Sequence, residues 1–312
     1  MDTIRVVAFA GGVGGAKLAL GLSKVLSPNE LSVVVNTGDD ESFYGLHVSP
    51  DLDTVMYTLA GLSNPESGWG LAGDTFNALG MLRNYGIDTW FNLGDQDLAT
   101  HIRRTQLLQQ GATLSEVTLE LCRRLGVQHT ILPMSDQPVR TILSTDAGEL
   151  PMQQYFVQHR SEPSVCGVRY AGASDAKPAP GLLDVMSQAT MAVFCPSNPH
   201  LSLGPILAVP GIKQALETFS GVRVAVSPIV GGAALRGPAG KIMAELGLEV
   251  SSVGVARQYQ GLLDVFAIDL EDADLASEIA SLGIEPMVTS IVMDTEADKV
   301  ELAQRILALG GG

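Results

Sequence analysis

The chain has 312 residues, of which 46% are apolar and 17% are charged. This composition supplies a buried core and excludes a disordered chain, which would carry a higher density of charge. The 19 basic residues against 34 acidic ones give a net charge of −15. That balance argues against a nucleic-acid binder, because such a protein needs a basic face to neutralise phosphates. One nucleotide or a small anionic substrate is still compatible with it.

The cysteines and the apolar runs indicate a soluble cytoplasmic protein without membrane contact. Cys122, Cys166 and Cys195 are far apart, which fits neither a zinc site nor a disulfide framework and is typical of a reducing compartment. The most membrane-like stretch, Val6–Leu22, is interrupted by glycines and by Lys17. We interpret it as a buried strand followed by a turn and a helix, in preference to a signal peptide.

Short apolar runs alternate with amphipathic stretches, which predicts an α/β, Rossmann-like parallel sheet with helices on both faces. The predicted strands are Val6–Ala10, Leu31–Asn36, Thr130–Pro133, Met191–Cys195, Val222–Ser227 and Val265–Ile268. The predicted helices are Ala16–Leu26, Thr75–Tyr85, Leu114–Leu125, Ile212–Phe219, Gly240–Leu246 and Ala297–Leu309.

The length fits two domains or one α/β domain with an insertion. We expect a nucleotide-binding core formed by residues 1–137 and 181–312, with a helical cap over about 51–126. Residues 138–180 are predicted to form a small β-rich lobe. That stretch contains the alternating segments Val139–Leu143, Gln154–Val157 and Val165–Val168, and it closes on a proline-rich turn.

A glycine-rich segment follows the first predicted strand and precedes a helix. It comprises Gly11, Gly12, Val13, Gly14 and Gly15, and Lys17 follows one residue later. Exposed amides and a helix N-terminus at this place favour a bound phosphate. The segment matches neither a Walker loop nor a dinucleotide fingerprint, and a plain tight turn is the alternative.

Two acidic clusters follow, at Asp39–Glu41 and at Asp51 and Asp53. Carboxylates gathered at the carboxyl ends of parallel strands suit Mg²⁺, usually shared with substrate phosphates. A solvated loop is the alternative for Asp39–Glu41, and helix capping is the alternative for Asp51 and Asp53. Asp53 is the better candidate for a metal ligand or a base.

Further candidates lie in the loops after the first 60 residues. Trp69 in a glycine-rich loop either covers a flat ligand or packs in the core. His101 is a ligand contact or a structural residue in preference to a general base. Polar strand ends that would line a nucleotide site, together with the lysine that opens a later helix, are Ser197, Asn198, Pro199, Ser227, Pro228, Ile229, Gly231 and Lys241.

The sequence resembles the 2-phospho-L-lactate transferase (CofD) family of coenzyme F-420 biosynthesis. The matching stretches run almost from end to end. They are Gly11–Lys17, Val35–Thr37, Ser49–Thr54, Asp74–Phe76, Gly94–Asp95, Ala99–His101, Leu132–Asp136, Pro196–Pro199, Val226–Ile229, Gly237–Lys241 and Val250–Val255.

The resemblance implies a Rossmann-like core with a smaller lobe and a requirement for Mg²⁺. It implies transfer of a phosphorylated three-carbon acid from a guanosine diphospho-conjugate to the terminal ribityl hydroxyl of the deazaflavin Fo, with release of GMP. The glycine segment, Lys17, the polar strand ends and Lys241 would hold the nucleotide. Asp51 and Asp53 would lie by the acceptor hydroxyl and the metal, with Asp39 as a further metal ligand. The deazaflavin pocket would include Trp69, Asp74, Asp95, Thr100 and His101.

Three questions stay open at this point. The acid of the donor is lactate, enolpyruvate or glycerate. A nucleotide-sugar-binding regulator without turnover is the main alternative to a transferase, and a nicotinamide-dependent oxidoreductase is a distant third, weakened by Asn36 where a ribose-binding carboxylate usually stands. A homodimer is the default expectation for the assembly.

Overall fold

The computed structural model describes residues 4–310. Its strands are β1 (Val6–Ala10), β2 (Leu31–Val35), β3 (Glu41–Phe43), β4 (Leu46–Val48), β5 (Thr130–Pro133), β6 (Arg140–Thr145), β7 (Gly148–Pro151), β8 (Val165–Ala171), β9 (Met191–Phe194), β10 (Val222–Val226), β11 (Ile229–Val230), β12 (Ala233–Ala234), β13 (Val265–Ile268) and β14 (Glu285–Val288).

The helices connect these strands and cover the sheet. They are α1 (Gly12–Val25), α2 (Pro50–Leu59), α3 (Asn77–Asn84), α4 (Asp97–Gln109), α5 (Leu114–Arg124), α6 (Leu182–Gln188), α7 (Gly204–Ala208), α8 (Ile212–Glu217), α9 (Ala239–Glu245), α10 (Ser252–Gln258), α11 (Ala276–Ser281) and α12 (Glu296–Ala308). Within residues 4–310, no helix is long and apolar enough to cross a membrane.

Seven parallel strands form the central sheet, in the order β14–β13–β10–β9–β1–β2–β5. Every residue of β1 and of β9 is buried, as expected for strands covered on both faces. One apolar layer contains α1, α2, α5 and α12, and the opposite layer contains α6 to α11. The predicted Rossmann-like parallel sheet is therefore confirmed.

The edge strand β14 is absent from the prediction. Its sequence is Glu285, Pro286, Met287 and Val288, and all four side chains keep some exposure to solvent. Proline is tolerated at a sheet edge, where its missing N–H costs no ladder bond. The segment therefore lacks the continuous apolar pattern by which the inner strands could be recognised.

Residues 140–171 contain a three-stranded antiparallel sheet in the order β7–β6–β8. The strand-like segment predicted at Gln154–Val157 is wrong, because Gln154–Gln158 form a π-helical turn. Both edges of β6 are already paired, and the turn buries Tyr155 instead. The boundaries of the core, the cap and the lobe stay predictions.

Candidate functional site

The carboxyl ends of the parallel strands open into a cavity of about 740 Å³. Ligands of open α/β sheets bind at this edge. The predicted site residues that line the cavity are Gly11, Gly12, Val13, Gly14, Lys17, Asp39, Asp51, Asp53, Trp69, His101, Ser197, Asn198 and Pro228. The structure therefore brings together the glycine segment, the acidic residues and the first polar strand end.

The glycine segment forms the first turn of α1. The helix begins at Gly12, earlier than the predicted Ala16, and Gly12 has a φ of 62°. A Cβ at Gly14 would lie 2.4 Å from the carbonyl oxygen of Pro196. Glycine therefore allows the close approach of two loops at the cavity floor. The first amides of a helix have no partner within it, so this turn can bind an anion.

Asp51 lies between the glycine turn and strand β2. Its Oδ1 accepts a hydrogen bond of 2.7 Å from the Gly12 amide, and its Oδ2 accepts one of 2.9 Å from Asn36 Nδ2. Burial raises the pKa of Asp51 to about 6, against the lowering effect of these two bonds. The helix-capping alternative receives no support, since no side chain caps α2.

Asp39 lies beside Asp51, because Asn36 Nδ2 also contacts Asp39 Oδ1 at 3.2 Å. The other oxygen accepts a bond of 3.1 Å from Gln153 Nε2. Burial and the charges of Asp51 and Asp40 raise the pKa of Asp39 well above its ordinary value. These carboxylates are buried, so the alternative of a solvated loop at Asp39 and Asp40 is wrong.

Asp53 is buried, and both of its carboxylate oxygens accept hydrogen bonds from Arg104. The guanidinium therefore takes one lone pair of each oxygen and the place of a bidentate metal ion, while the other lone pairs can still accept from a hydroxyl. Asp53 faces the cavity as one half of an ion pair. This restricts its predicted role as metal ligand or free base, and its role in orienting an acceptor stays a prediction.

A chain of polar side chains behind Asp53 continues through α4. His101 Nδ1 lies 3.2 Å from Arg104 Nη1, and His101 Nε2 lies 3.2 Å from Asp97 Oδ2. The Tyr57 hydroxyl is 2.7 Å from Asp97 Oδ1. The sequence analysis missed Asp97, Tyr57 and Arg104. The spacing of Asp97, His101 and Arg104 along one helix face was the signal that could have indicated this cluster.

Asp74 and Asp95, predicted for the acceptor pocket, have a structural function instead. Asp74 accepts from the Gln96 and Asp97 amides at the start of α4, at 2.8 and 3.0 Å. Asp95 accepts from the Asn77 and Ala78 amides at the start of α3, at 3.0 and 2.9 Å. Each carboxylate thus caps the helix that follows the other, and neither lines the cavity.

The remaining predicted residues point away from the cavity. The Thr100 hydroxyl contacts Tyr57 at 2.7 Å. Lys241 donates to the carbonyl of Pro163 at 2.8 Å and pairs with Glu245 at 2.7 Å, so it ties α9 to the loop before β8. Gly15, Pro199, Ser227, Ile229 and Gly231 do not line the cavity either, and the Ser227 hydroxyl bonds only within its own turn to Ile229.

Ser197 and Asn198 line the cavity, but their oxygens serve the local fold. Ser197 Oγ accepts from the Gly11 amide at 3.1 Å and donates to the Gly11 carbonyl at 2.8 Å. Asn198 Oδ1 accepts from the His200 and Leu201 amides and caps the next turn. Both residues therefore fix the backbone around the glycine turn of α1. The part of the cavity at this turn is called the phosphate end.

The mouth of the cavity contains both aromatic and cationic side chains. Trp69 is 48% exposed and lines the cavity together with Phe91 and Phe156. Lys17 and Arg236 supply the positive charge, and burial together with the Arg236 guanidinium lowers the pKa of Lys17. Arg236, which the sequence analysis did not assign to the site, also donates to the Ser67 carbonyl at 3.0 Å and links the two loops at the mouth.

Comparison with known proteins identifies the family. A model described as 2-phospho-L-lactate transferase CofD matches residues 6–305. The chain is 43% identical over 312 residues to the phosphoenolpyruvate transferase of Streptomyces griseus subsp. griseus, with 98% of each chain covered. It is 40% identical over 304 residues to the 2-phospho-L-lactate transferase of Methanosarcina mazei, with 97% of this chain and 99% of the relative covered.

A solved structure shares the fold. A member of the UPF0052 family from Bacillus halodurans superposes with a TM-score of 0.63 at 17% identity, covering 98% of this chain and 99% of that one. This likeness supports the architecture, whereas the matches at 40% identity and above show the family over nearly the whole chain. The predicted resemblance is confirmed, and the chain belongs to the CofD family of transferases in coenzyme F-420 biosynthesis.

Proposed function

We propose that this protein transfers a phosphorylated three-carbon acid from a guanosine diphospho-conjugate to the terminal ribityl hydroxyl of the deazaflavin Fo, with release of GMP. The observation that carries the proposal is a single cavity with a phosphate-binding helix turn, a flat aromatic mouth and buried carboxylates. A cavity of about 740 Å³ lies within the size range of ligand sites that bury most of a small molecule.

The phosphate end supports the donor. The first turn of α1 offers backbone amides and the positive end of a helix, and Lys17 and Arg236 add two cations along the same wall. Lys17 and Arg236 are the only lysine and arginine among the described residues that line the cavity, so binding of a diphosphate depends on this local arrangement.

The aromatic mouth supports the acceptor. A deazaflavin is a flat ring system, and Trp69, Phe91 and Phe156 provide aromatic surface on which such a ring can stack. A nucleotide-sensing regulator, the second candidate, has no need of an aromatic pocket beside its phosphate site. The two relatives compared above are named as transferases, which also favours turnover.

For the acid of the donor, we propose enolpyruvate. The relatives from Streptomyces griseus and Streptomyces coelicolor, at 43% and 41% identity, are named phosphoenolpyruvate transferases. The relatives from Methanosarcina mazei and Methanothermobacter thermautotrophicus, at 40%, are named 2-phospho-L-lactate transferases. The lactate and glycerate donors serve as the comparison substrates.

In the proposed reaction, the ribityl hydroxyl oxygen attacks the phosphorus that carries the acid. The new bond joins this oxygen to phosphorus, the bond from phosphorus to the GMP oxygen breaks, and the hydroxyl proton leaves to a carboxylate of the cavity wall. Asp51, which forms no ion pair with a lysine or arginine of residues 4–310, is the carboxylate suited to receive it, while Asp53 orients the acceptor. The helix amides, Lys17 and Arg236 stabilise the leaving phosphate, since phosphoryl transfer depends on positioning and charge stabilisation.

The residues present fit a Mg²⁺ ion, which we propose as the cofactor. Asp39 and Asp51 are buried side by side, and no lysine or arginine within residues 4–310 forms an ion pair with either carboxylate. The same part of the chain contains no group of three or more metal-ligating side chains. Two carboxylates are nevertheless what Mg²⁺ commonly takes from a protein, with substrate phosphates and water completing its shell. Bound there, the ion would neutralise charge on the diphosphate.

Removal of the metal tests this assignment. We expect EDTA to abolish transfer and excess Mg²⁺ to restore it. Asp39→Asn should raise the Mg²⁺ concentration needed for half-maximal activity by about tenfold or more, because it removes one of two anionic ligands. Full activity in EDTA, or an unchanged Mg²⁺ requirement in Asp39→Asn, would contradict the proposed site.

Binding of Fo, followed by its fluorescence, tests the proposed function against the regulator. The transferase proposal predicts saturable Fo binding that persists when GDP fills the phosphate end, because the two ligands occupy different parts of one cavity. Trp69→Ala should weaken Fo binding and leave GDP binding unchanged. Saturable GDP binding without any Fo binding would favour the regulator. The homodimer and the cytoplasmic location stay predictions.

A further inference from the structure

Arg104 is among the largest fully buried side chains of the protein, with an exposed fraction of 2%. It lies on α4, on the protein side of the cavity wall. Its two terminal nitrogens donate to the two oxygens of Asp53, and Nη1 also lies 3.2 Å from Nδ1 of His101. Moving a guanidinium from water into the protein interior costs free energy. Its planar set of N–H donors can in return hold several partners in one fixed arrangement.

The guanidinium determines which nitrogen of His101 carries a proton. A guanidinium has only donor groups, so a contact of 3.2 Å requires His101 Nδ1 to accept. The proton of the neutral ring then resides on Nε2, which lies 3.2 Å from Asp97 Oδ2. Nε2 therefore faces the carboxylate of Asp97, which can only accept, while Nδ1 contacts the Arg104 donor and lies 3.7 Å from Asp53 Oδ2, beyond hydrogen-bond distance.

The next contacts follow the same rule. The Tyr57 hydroxyl lies 2.7 Å from both Asp97 Oδ1 and Thr100 Oγ1. Because Asp97 can only accept, Tyr57 donates its proton to Asp97 and accepts from Thr100. Asp97 thus receives one side-chain hydrogen bond, from Tyr57, and its second oxygen lies 3.2 Å from His101 Nε2. The cavity is also lined by Tyr57, Asp97, His101 and Asp53. The hydrogen-bond directions that Arg104 determines therefore involve side chains that face the substrate.

We propose that Arg104 is a positioning residue for the transfer reaction. It holds Asp53 in its orientation toward the acceptor and fixes His101 as the neutral Nε2–H tautomer, with this N–H on the side of Asp97. This inference rests on the proposed function for the identity of the acceptor. The hydrogen-bond directions within the protein do not depend on it.

The tautomer can be tested without any substrate. The chain contains five histidines, so nitrogen NMR of protein labelled on histidine gives few signals, and His101→Gln identifies the signal of interest. We expect a neutral ring with its proton on Nε2 at pH 7.5. A proton on Nδ1, or on both nitrogens, would overturn the proposal, whatever the outcome of a transferase assay.

The positioning role is tested with Arg104→Lys. Lysine keeps the positive charge. It lacks the planar guanidinium that donates to both Asp53 oxygens and contacts His101 at the same time. We expect kcat per folded molecule to fall by about tenfold or more, in line with other residues that orient reactive groups, with KM for both substrates almost unchanged. The His101 signal should also show an altered tautomer population.

Arg103→Lys provides the matched control. Arg103 is the neighbouring arginine of α4, and it pairs with Glu120 of α5 at the surface, outside the cavity. We expect its variant to keep the kcat and the His101 tautomer of the unaltered protein. An unchanged kcat in folded Arg104→Lys would overturn the positioning role. If that variant does not fold, the tautomer of the unaltered protein still decides the question.

Discussion

Replacing Asp51 by asparagine is expected to lower turnover by at least about a hundredfold, the size of effect typical for groups that handle protons in phosphoryl and acyl transfer. Asp51 contacts the Gly12 amide and Asn36, lines the cavity and has no guanidinium partner. Asparagine keeps the shape of the side chain and removes its charge. Steady-state rates with saturating donor and Fo measure the loss, and near-normal turnover would contradict the role of Asp51.

Asp53→Asn distinguishes the role of Asp53 from that of Asp51. We expect a similar loss of turnover of about a hundredfold, now accompanied by a lower melting temperature. The reason is that asparagine leaves the buried Arg104 guanidinium without a matching anion, and breaking a buried pair from one side is strongly destabilising. Asp51→Asn should melt at a higher temperature than Asp53→Asn, because it loses one hydrogen bond but leaves no buried cation without an anion. Near-normal turnover in folded Asp53→Asn would exclude the predicted role of that residue in orienting the acceptor.

Gly14→Ala is expected to weaken GDP binding by about tenfold to a hundredfold. The added Cβ would lie 2.4 Å from the Pro196 carbonyl oxygen, and this neighbour is backbone that cannot rotate away. Overpacking of this kind costs about 1–3 kcal/mol, and about 1.4 kcal/mol corresponds to a tenfold change in affinity. To relieve the clash, the first turn of α1 must move relative to the Pro196–Asn198 loop. The diphosphate is proposed to bind at this turn. Titration calorimetry with GDP measures the change.

Gly21→Ala is the matched control on the same helix. Its Cβ would lie 2.1 Å from the Lys299 carbonyl oxygen of α12, a comparable clash with no contact to the cavity. We expect this variant to melt at a lower temperature while its folded fraction binds GDP normally. If Gly14→Ala bound GDP as tightly as the unaltered protein, the phosphate site would have to lie elsewhere.

The fold could be predicted where strands are buried on both faces. Runs such as Val6–Ala10 and Val265–Ile268 contain only apolar residues, and their bounds were predicted without error. The edge strand β14 could not be recognised, because its glutamate and proline are compatible with an edge but not with an apolar run. The start of α1 at Gly12, four residues before the predicted Ala16, was also not recognised from the sequence. Glycines are poor helix formers, and here the close contact with Pro196 selects them.

The sequence predicted which chain segments form the candidate site. It did not predict which side chains within the site form hydrogen bonds or ion pairs with each other. The glycine turn and Asp39 reach the cavity because they follow β1 and β2 of the parallel sheet, and Asp51 and Asp53 reach it from the first turn of α2, after the hairpin of β3 and β4. The pairing of Arg104 with Asp53 joins residues 51 positions apart, and no local pattern indicates it. Asp74 and Asp95 were misassigned because a carboxylate before a helix has the same local sequence whether it binds a ligand or caps the helix.

Transfer of the phosphorylated acid to Fo can be measured directly by mass spectrometry. The purified protein is incubated with Fo, Mg²⁺ and one of the three guanosine diphospho-acids, derived from lactate, enolpyruvate or glycerate, with EDTA in parallel. We predict an Fo-linked phosphodiester and one equivalent of GMP in the presence of Mg²⁺, with the enolpyruvyl donor consumed fastest and no product in EDTA. GDP binding without product from any of the three donors would contradict the account.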